Sequence, residues 1–170
     1  MEDLMEFLRK KKEDRGAMAV LRRGLISGQA QRTWPILAPF NGIGIKFHER
    51  AVQVIAGLYA MHPKETSKGN FGFSCRGLLN DDERSKISRG EEGPLSKRFH
   101  HLLAADGDEV FDRVIHFVQR IKHQQDIPVN YNQLSKDLLS WQNPYRKDRV
   151  RTEWAKSFWS APDEDKEVEK

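Results

Sequence analysis

A single cysteine, Cys75, stands in 170 residues, so no internal disulfide framework and no multi-cysteine metal site is available. No run of about 18 apolar residues occurs, which excludes a transmembrane helix. The opening MEDLMEFLRKKKEDRG passes from acid to base without an apolar core segment, so it does not read as a signal peptide, and a cytoplasmic location is expected. Strand-like alternation is almost absent. Catalytic spacings are missing as well. The six histidines are His48, His62, His100, His101, His116 and His123, with no HExxH, no pair four apart on a helix and no cysteine pattern for zinc. Asn41-Gly42-Ile43-Gly44 lacks the third glycine and the strand of a dinucleotide loop, and no P-loop ending occurs. The acids Asp81, Asp82 and Glu83, and again Asp106, Asp108 and Glu109, suit helix starts better than a bound cation. Cys75 lies beside Arg76 with no histidine near it in sequence, so no nucleophile is assigned. The chain is expected to be no enzyme and to hold neither metal nor cofactor.

What is abundant is charge, at 32 per cent, beside 38 per cent hydrophobic residues. Apolar side chains must then lie on stripes of helices rather than in continuous runs. The formal charge of +4 conceals an asymmetry: the last eleven residues, SAPDEDKEVEK, hold five acids and two bases, which leaves +7 on the other 159. This predicts a compact body over 1–162, with halves of about 1–92 and about 93–162, followed by an acidic disordered tail at 163–170. A basic body suits an anionic partner.

Helical periodicity dominates the body. Residues 2–12 read as one helix with Leu4, Phe7 and Leu8 inward, and AMAVLRRGLI as a second that ends near Gly24 to Gly28. WPILAPFNGIGIKF reads as a short helical turn and a loop. HERAVQVIAGLYAM carries Val52, Ile55, Leu58 and Tyr59 at helix spacing and breaks at His62-Pro63. FGFSCRGLL is a short helix weakened by Gly77. The charged NDDERSKISRGEEGP reads as an exposed connection. In the second half, stripes appear at Leu95, Phe99, Leu102 and Leu103, at Val110, Val114, Phe117, Val118 and Ile121, and at Leu134, Leu138, Leu139 and Trp141. Asn143-Pro144 then caps and opens a final helix with Val150, Trp154 and Phe158 on one face. The prediction is an all-α helical bundle of about eight helices, with a four-helix C-terminal half.

The polar faces carry a second pattern. Arg113, His116, Arg120 and His123 follow steps of three, four and three, which sets them in a row away from the apolar stripe. A row of cations on a rigid helix matches phosphates along a strand without reading bases. Lys97, Arg98 and His101 add bases to the preceding helix. On the last helix Arg149 and Lys156 stand opposite the stripe, whereas Lys147 and Arg151 flank it. Arg23 points away from its helix's apolar side, and Arg22, near Met18 and Leu25, is a candidate buried partner. The RKKK run at 9–12 reads as a solvated face.

SKRFHHLLAADGDEVFDRVIHFV, YNQLSKDLLSW and VRTEWAKSFW, with AVLRRGL, PILAPF, VIAGLYAMHP and FGFSCRGLL before them, resemble the CasB family. These are the small subunits of the type I-E CRISPR Cascade effector complex. The resemblance covers most of residues 17–159 and departs at Gly77 and in the acidic stretch 80–93. It implies an all-helical, non-catalytic subunit of an antiviral complex, present in two copies. Its partners would be the backbone subunits and the large subunit, a guide RNA, the target DNA and the displaced DNA strand. Matching positions carry that role to Arg23, Lys97, Arg98, Arg113, Arg120, Arg146, Lys147 and Arg149. R-loop exchange is close to balanced, so sequence-tolerant contacts to the displaced strand can tip it. The rival expectation is a free-standing, sequence-tolerant DNA- or RNA-binding helical protein, with the last helix in a groove.

Overall fold

The computed structural model describes residues 1–124 and 126–160; the acidic tail expected at 163–170 lies outside them. Ten α-helices occur among the described residues: α1 Glu2–Lys10, α2 Arg15–Arg23, α3 Trp34–Leu37, α4 Phe47–Met61, α5 Phe71–Arg76, α6 Asp81–Ser88, α7 Pro94–Ala104, α8 Glu109–Gln124, α9 Tyr131–Leu139 and α10 Pro144–Trp159. Two 3-10 turns, Ala30–Thr33 and Ala38–Phe40, flank α3. The fold is all-α as expected, with somewhat more helices than eight.

One of the added helices is α6, where the sequence reading expects only an exposed connection. Its exposure is as expected, since it buries no residue. Its helicity comes from local chemistry: the Asn80 side chain accepts from the Glu83 N–H at 2.9 Å, and Asp81, Asp82 and Glu83 fill the first turn, where the helix dipole favours acids. Glu83 also accepts from the Leu95 N–H at 2.8 Å, which ties α6 to the start of α7.

The core is organised around α4, eleven of whose fifteen residues are buried. A helix apolar on every side must be surrounded. Here α1, α2, α8 and α9 pack against it. Gly57 makes one of these approaches possible, since a Cβ there would meet Leu25 Cδ2 at 2.6 Å and the Leu21 carbonyl at 3.0 Å. Three polar side chains buried here are satisfied. Gln53 donates to the carbonyls of Gly42 at 2.7 Å and Gly44 at 3.0 Å. The Tyr131 hydroxyl donates to the carbonyls of His62 at 2.6 Å and Leu58 at 3.2 Å. His62 Nε2 donates to the Ile127 carbonyl at 2.6 Å.

The other main seam joins α5 to α10. Val150, Trp154 and Phe158, the stripe expected on the last helix, are all buried. Asn70 caps α5 by accepting from the Phe73 N–H at 3.1 Å and reaches across to the Glu153 carbonyl at 3.3 Å. Arg76 donates to the Phe158 carbonyl at 2.6 Å, near the end of α10 where a cation opposes the dipole. Gly77 ends α5 rather than kinking it, and a Cβ there would meet Ile127 Cδ1 at 2.7 Å. Because α4 packs with α9 and α5 with α10, the two halves of the chain share one hydrophobic core.

Four inward assignments differ in detail. Phe7 is half-buried against Phe40, with ring centroids 5.0 Å apart, while Met5, not among the residues expected inward, is buried with Leu4 and Leu8. Leu103 and Leu139 are only half-buried. Arg22, a candidate buried partner, is exposed, because Met18 and Leu21 alone of α2 are buried.

Candidate nucleic-acid interface

The basic row on α8 exists because the helix splits cleanly. Val110, Phe111, Val114, Ile115, Phe117, Val118 and Ile121 are buried, and Arg113, His116, Arg120 and His123 stand outside that set, half-buried or exposed. α7 packs alongside, its Leu95, Phe99 and Leu102 buried and its Lys97, Arg98 and His101 exposed. Between the two helices lies a cavity of about 300 Å³ lined by Arg98, Arg113, His116, Phe117, Gln119 and Arg120. Three of the eight expected cations therefore converge from two helices on one groove. The Phe117 ring, buried and edge-on to Phe99 at 6.0 Å, gives the groove a rigid floor.

Their availability differs. Arg113 is held by Glu109, four residues before it, at 2.8 Å. Arg98 and Arg120 have no ion-pair partner among the described residues. A guanidinium with no internal carboxylate keeps its fork of donors for a phosphate. Lys97 stands one position before Arg98 on the exposed side of α7.

The remaining sites are dispersed. Arg146 and Arg149 line a broader hollow of about 570 Å³ between α9, α10 and the Gly69-Asn70 turn, together with Lys136. Sequence reasoning does not find Lys136, because no spacing links a base on α9 to those on α10. Lys147, one residue from Arg146, faces a different concavity lined by Asp106, Trp141 and Arg151, and it is largely covered by its ion pair with Asp106. That lysine's hydrogen bond and charge hold the Asp106 carboxyl below its usual range. Arg23 is exposed on α2, an element that packs against α4 and the first 3-10 turn rather than against α7, α8 or α10.

Beneath the Arg146–Arg149 hollow sits a buried carboxylate. Asp137 accepts from Trp154 Nε1 at 2.8 Å and from Gln133 Nε2 at 2.8 Å, yet burial pushes its carboxyl above the ordinary value. The folded chain thus holds this proton more tightly than the unfolded chain. Its contribution to stability improves as pH falls into the window just above the ordinary carboxylate range, and it is a penalty at neutral pH. Asp137→Asn keeps an acceptor for Trp154. At neutral pH the variant should be as stable as wild type or more so, and any advantage should shrink as the pH is lowered toward about 4. Chemical unfolding of both proteins across that range checks the sign.

Two other groups are taken out of contention. Cys75 is fully buried and desolvation raises its thiol well above the ordinary value, which leaves a packing residue. Among the described residues no group of three or more His, Cys, Asp or Glu is placed to hold a metal ion, and no helix is long and apolar enough to cross a membrane.

These features define a class: a small all-α protein whose most distinctive surface is a set of basic concavities between packed helices. The chain belongs to the family described as CRISPR-associated protein Cse2, whose model matches residues 17–159. Solved structures agree on the fold. CasB from Thermus thermophilus is 22% identical with a TM-score of 0.72, the alignment covering 94% of this chain and 97% of that one. CasB from Thermobifida fusca is 22% identical with a TM-score of 0.67, covering 94% of each chain. A chain of a CRISPR RNA-guided surveillance complex is 20% identical with a TM-score of 0.66, covering 92% of this chain and 89% of that one. No curated protein matches the chain. The resemblance read from the helix motifs is thereby borne out.

Proposed function

We propose that this chain is a non-catalytic small subunit of an RNA-guided CRISPR complex of the Cascade type. In that complex it grips nucleic-acid backbone through the groove between α7 and α8 and steadies the displaced DNA strand of the R-loop. The observation that carries this reading is the convergence of Arg98, Arg113 and Arg120 on one groove, in a chain of the Cse2 family. The guide RNA, the paired target, the backbone and large subunits and a second copy of the chain are the partners this role requires. Lys97 extends the groove, and Lys136, Arg146 and Arg149 form a second stretch of the same path. Lys147 and Arg23 take peripheral parts, the first because Asp106 already neutralises it. The rival reading of α10 as a free recognition helix has less support, since Val150, Trp154 and Phe158 commit one face of it to the core.

Cations without internal partners should matter most, so the informative variant is Arg98→Ala with Arg120→Ala. Unfolding stability should stay within about 0.5 kcal/mol at the exposed Arg98, as for most exposed substitutions, and fall by no more than about 1 kcal/mol at the half-buried Arg120. Single-stranded DNA binding should weaken without base preference. The dependence of log K on log salt should become shallower by about 0.7 for each phosphate that is no longer neutralised. Reconstituted with its partner subunits and guide RNA, the variant should assemble normally and hold a shorter-lived R-loop. An assembled variant that keeps the opened duplex as long as wild type would overturn the assignment of this groove.

A further inference from the structure

The chain has nine phenylalanines, four tryptophans and three tyrosines, and all of these rings are at least half-buried except that of Tyr145. Its relative exposure is 88%, and it meets no other aromatic ring among the described residues. The cause is its place on α10. Tyr145 stands five positions before Val150, about 140° round the helix from the buried stripe of Val150, Trp154 and Phe158. The backbone that carries it is fixed: Asn143 caps the helix by accepting from the Arg146 N–H at 3.1 Å, and Pro144 sets the first turn. A tyrosine presents a large flat face on only two side-chain torsions, so ordering it costs little.

A lone exposed ring is ordinary on a protein surface; the neighbours of this one set it apart. Arg146 follows directly. Arg149 comes four positions later, where helix geometry brings Cβ atoms to about 5–6 Å and tilts the later side chain back toward the earlier one. Both arginines are exposed and line the hollow of about 570 Å³ that Lys136 also lines. None of the three cations has an ion-pair partner among the described residues. The carboxylates nearby are engaged elsewhere. Asp137 is buried and takes its donors from Gln133 and Trp154, Glu153 pairs with Lys156 at 3.6 Å, and Asp148 pairs with Arg151 at 3.6 Å in the neighbouring concavity. An exposed ring beside three free cations matches the two kinds of group an unpaired strand offers, base faces and phosphates. A duplex keeps its base faces in the stack.

Resting on the reading of this hollow as a second stretch of the nucleic-acid path, we propose that Tyr145 is a stacking platform for an unpaired base of the displaced DNA strand, whose phosphates lie on Lys136, Arg146 and Arg149. The site takes single-stranded DNA in preference to duplex and accepts any base, since every base has a π face. Guide bases are committed to the target once they pair, which leaves the displaced strand as the source of the base.

The test uses the full chain and a fluorescent oligothymidylate. Tyr145→Ala should melt with wild type and bind this strand about fivefold or more weakly, the change that corresponds to losing one base–aromatic stack. Tyr145→Phe keeps the ring face and should bind as wild type does. On a strand of the same length made of abasic sugar-phosphate units, Tyr145→Ala and wild type should be equal. Salt separates ring from cations: the slope of log K against log salt should be unchanged in Tyr145→Ala, which removes no phosphate contact, and shallower in Arg146→Ala with Arg149→Ala. Undiminished oligothymidylate binding by Tyr145→Ala, or an equal loss on the abasic strand, overturns the stacking. A Tyr145→Phe protein as weak as Tyr145→Ala overturns it as well, because the hydroxyl would then carry the contact. If the stacking fails while the double arginine variant still binds weakly with a shallower slope, the hollow keeps its place in the path. If the double arginine variant binds like wild type with an unchanged slope, the reading of the hollow fails and the stacking proposal with it. In the reconstituted complex Tyr145→Ala should assemble and shorten the life of an R-loop, but not of one whose displaced strand is abasic. Failed assembly, or equal shortening with the abasic strand, would assign the ring to a protein or guide contact and overturn the proposal.

Discussion

Trp154→Ala should destabilise the fold by about 3–5 kcal/mol, the range for deleting a large, fully buried aromatic side chain. Trp154 has 0% relative exposure and packs against Phe71 and Trp141, each with ring centroids 5.3 Å away. The loss is compound. Removing the ring opens a cavity at the α5–α10 seam, and removing Nε1 deprives the buried Asp137 of one of its two side-chain donors. Trp154→Phe separates the two effects, because it keeps most of the apolar volume and deletes only the donor and part of the ring. It should cost about 1–3 kcal/mol, the usual penalty for leaving a buried polar group short of a partner. Equilibrium unfolding in denaturant measures both. Equal losses for the two variants would assign the effect to the hydrogen bond, and a negligible loss for Trp154→Phe would assign it to packing.

Gly72→Ala should destabilise the fold although it adds a single methyl group. A Cβ at Gly72 would lie 2.1 Å from the Trp154 carbonyl oxygen and 2.8 Å from that residue's Cα. Those are backbone atoms, so no side chain can rotate away, and α5 must separate from α10. Overpacking of this kind costs about 1–3 kcal/mol and sometimes more. The expected consequence extends to neighbours of the seam: the Asn70 bond to the Glu153 carbonyl and the Arg76 bond to the Phe158 carbonyl both span it. Gly16→Ala is the control. A Cβ there meets nothing closer than Asp14 Oδ1 at 3.5 Å, and Gly16 is exposed in α2, so the same change should stabilise by about 0.4–1 kcal/mol. Thermal unfolding of the pair should move in opposite directions. A Gly72→Ala protein that melts like wild type would mean that the α5–α10 seam gives way without cost.

The identity and order of the helices are legible because their causes are local. The Val150, Trp154 and Phe158 stripe, the Asn143-Pro144 start and the outward row on α8 all follow from groups three or four residues apart, which one helix brings together without help. The same locality explains why α6 escapes a reading by stripes. Asn80 and the acids after it are a helix start, but a helix that buries nothing lacks the apolar period by which helices are recognised in sequence.

Through-space pairing is where sequence reasoning stops. The eight expected cations look equivalent as letters, and tertiary structure makes them unequal. It sets Arg98 of α7 across from Arg113 and Arg120 of α8. It turns Arg146 and Lys147, adjacent in sequence, to different concavities, and it commits Lys147 to Asp106, 41 residues away. The pairing of Arg113 with Glu109, four residues apart, follows from helix geometry alone, whereas the freedom of Arg98 and Arg120 does not. The sequence by itself determined an all-α chain, its buried stripes and the side of each helix that carries charge, because periodicity is a property of one helix. Only the packing of helix on helix decided which charges share a groove and which are neutralised by a distant residue, because a carboxylate far away in sequence takes a cation from a phosphate only when the fold brings it within reach.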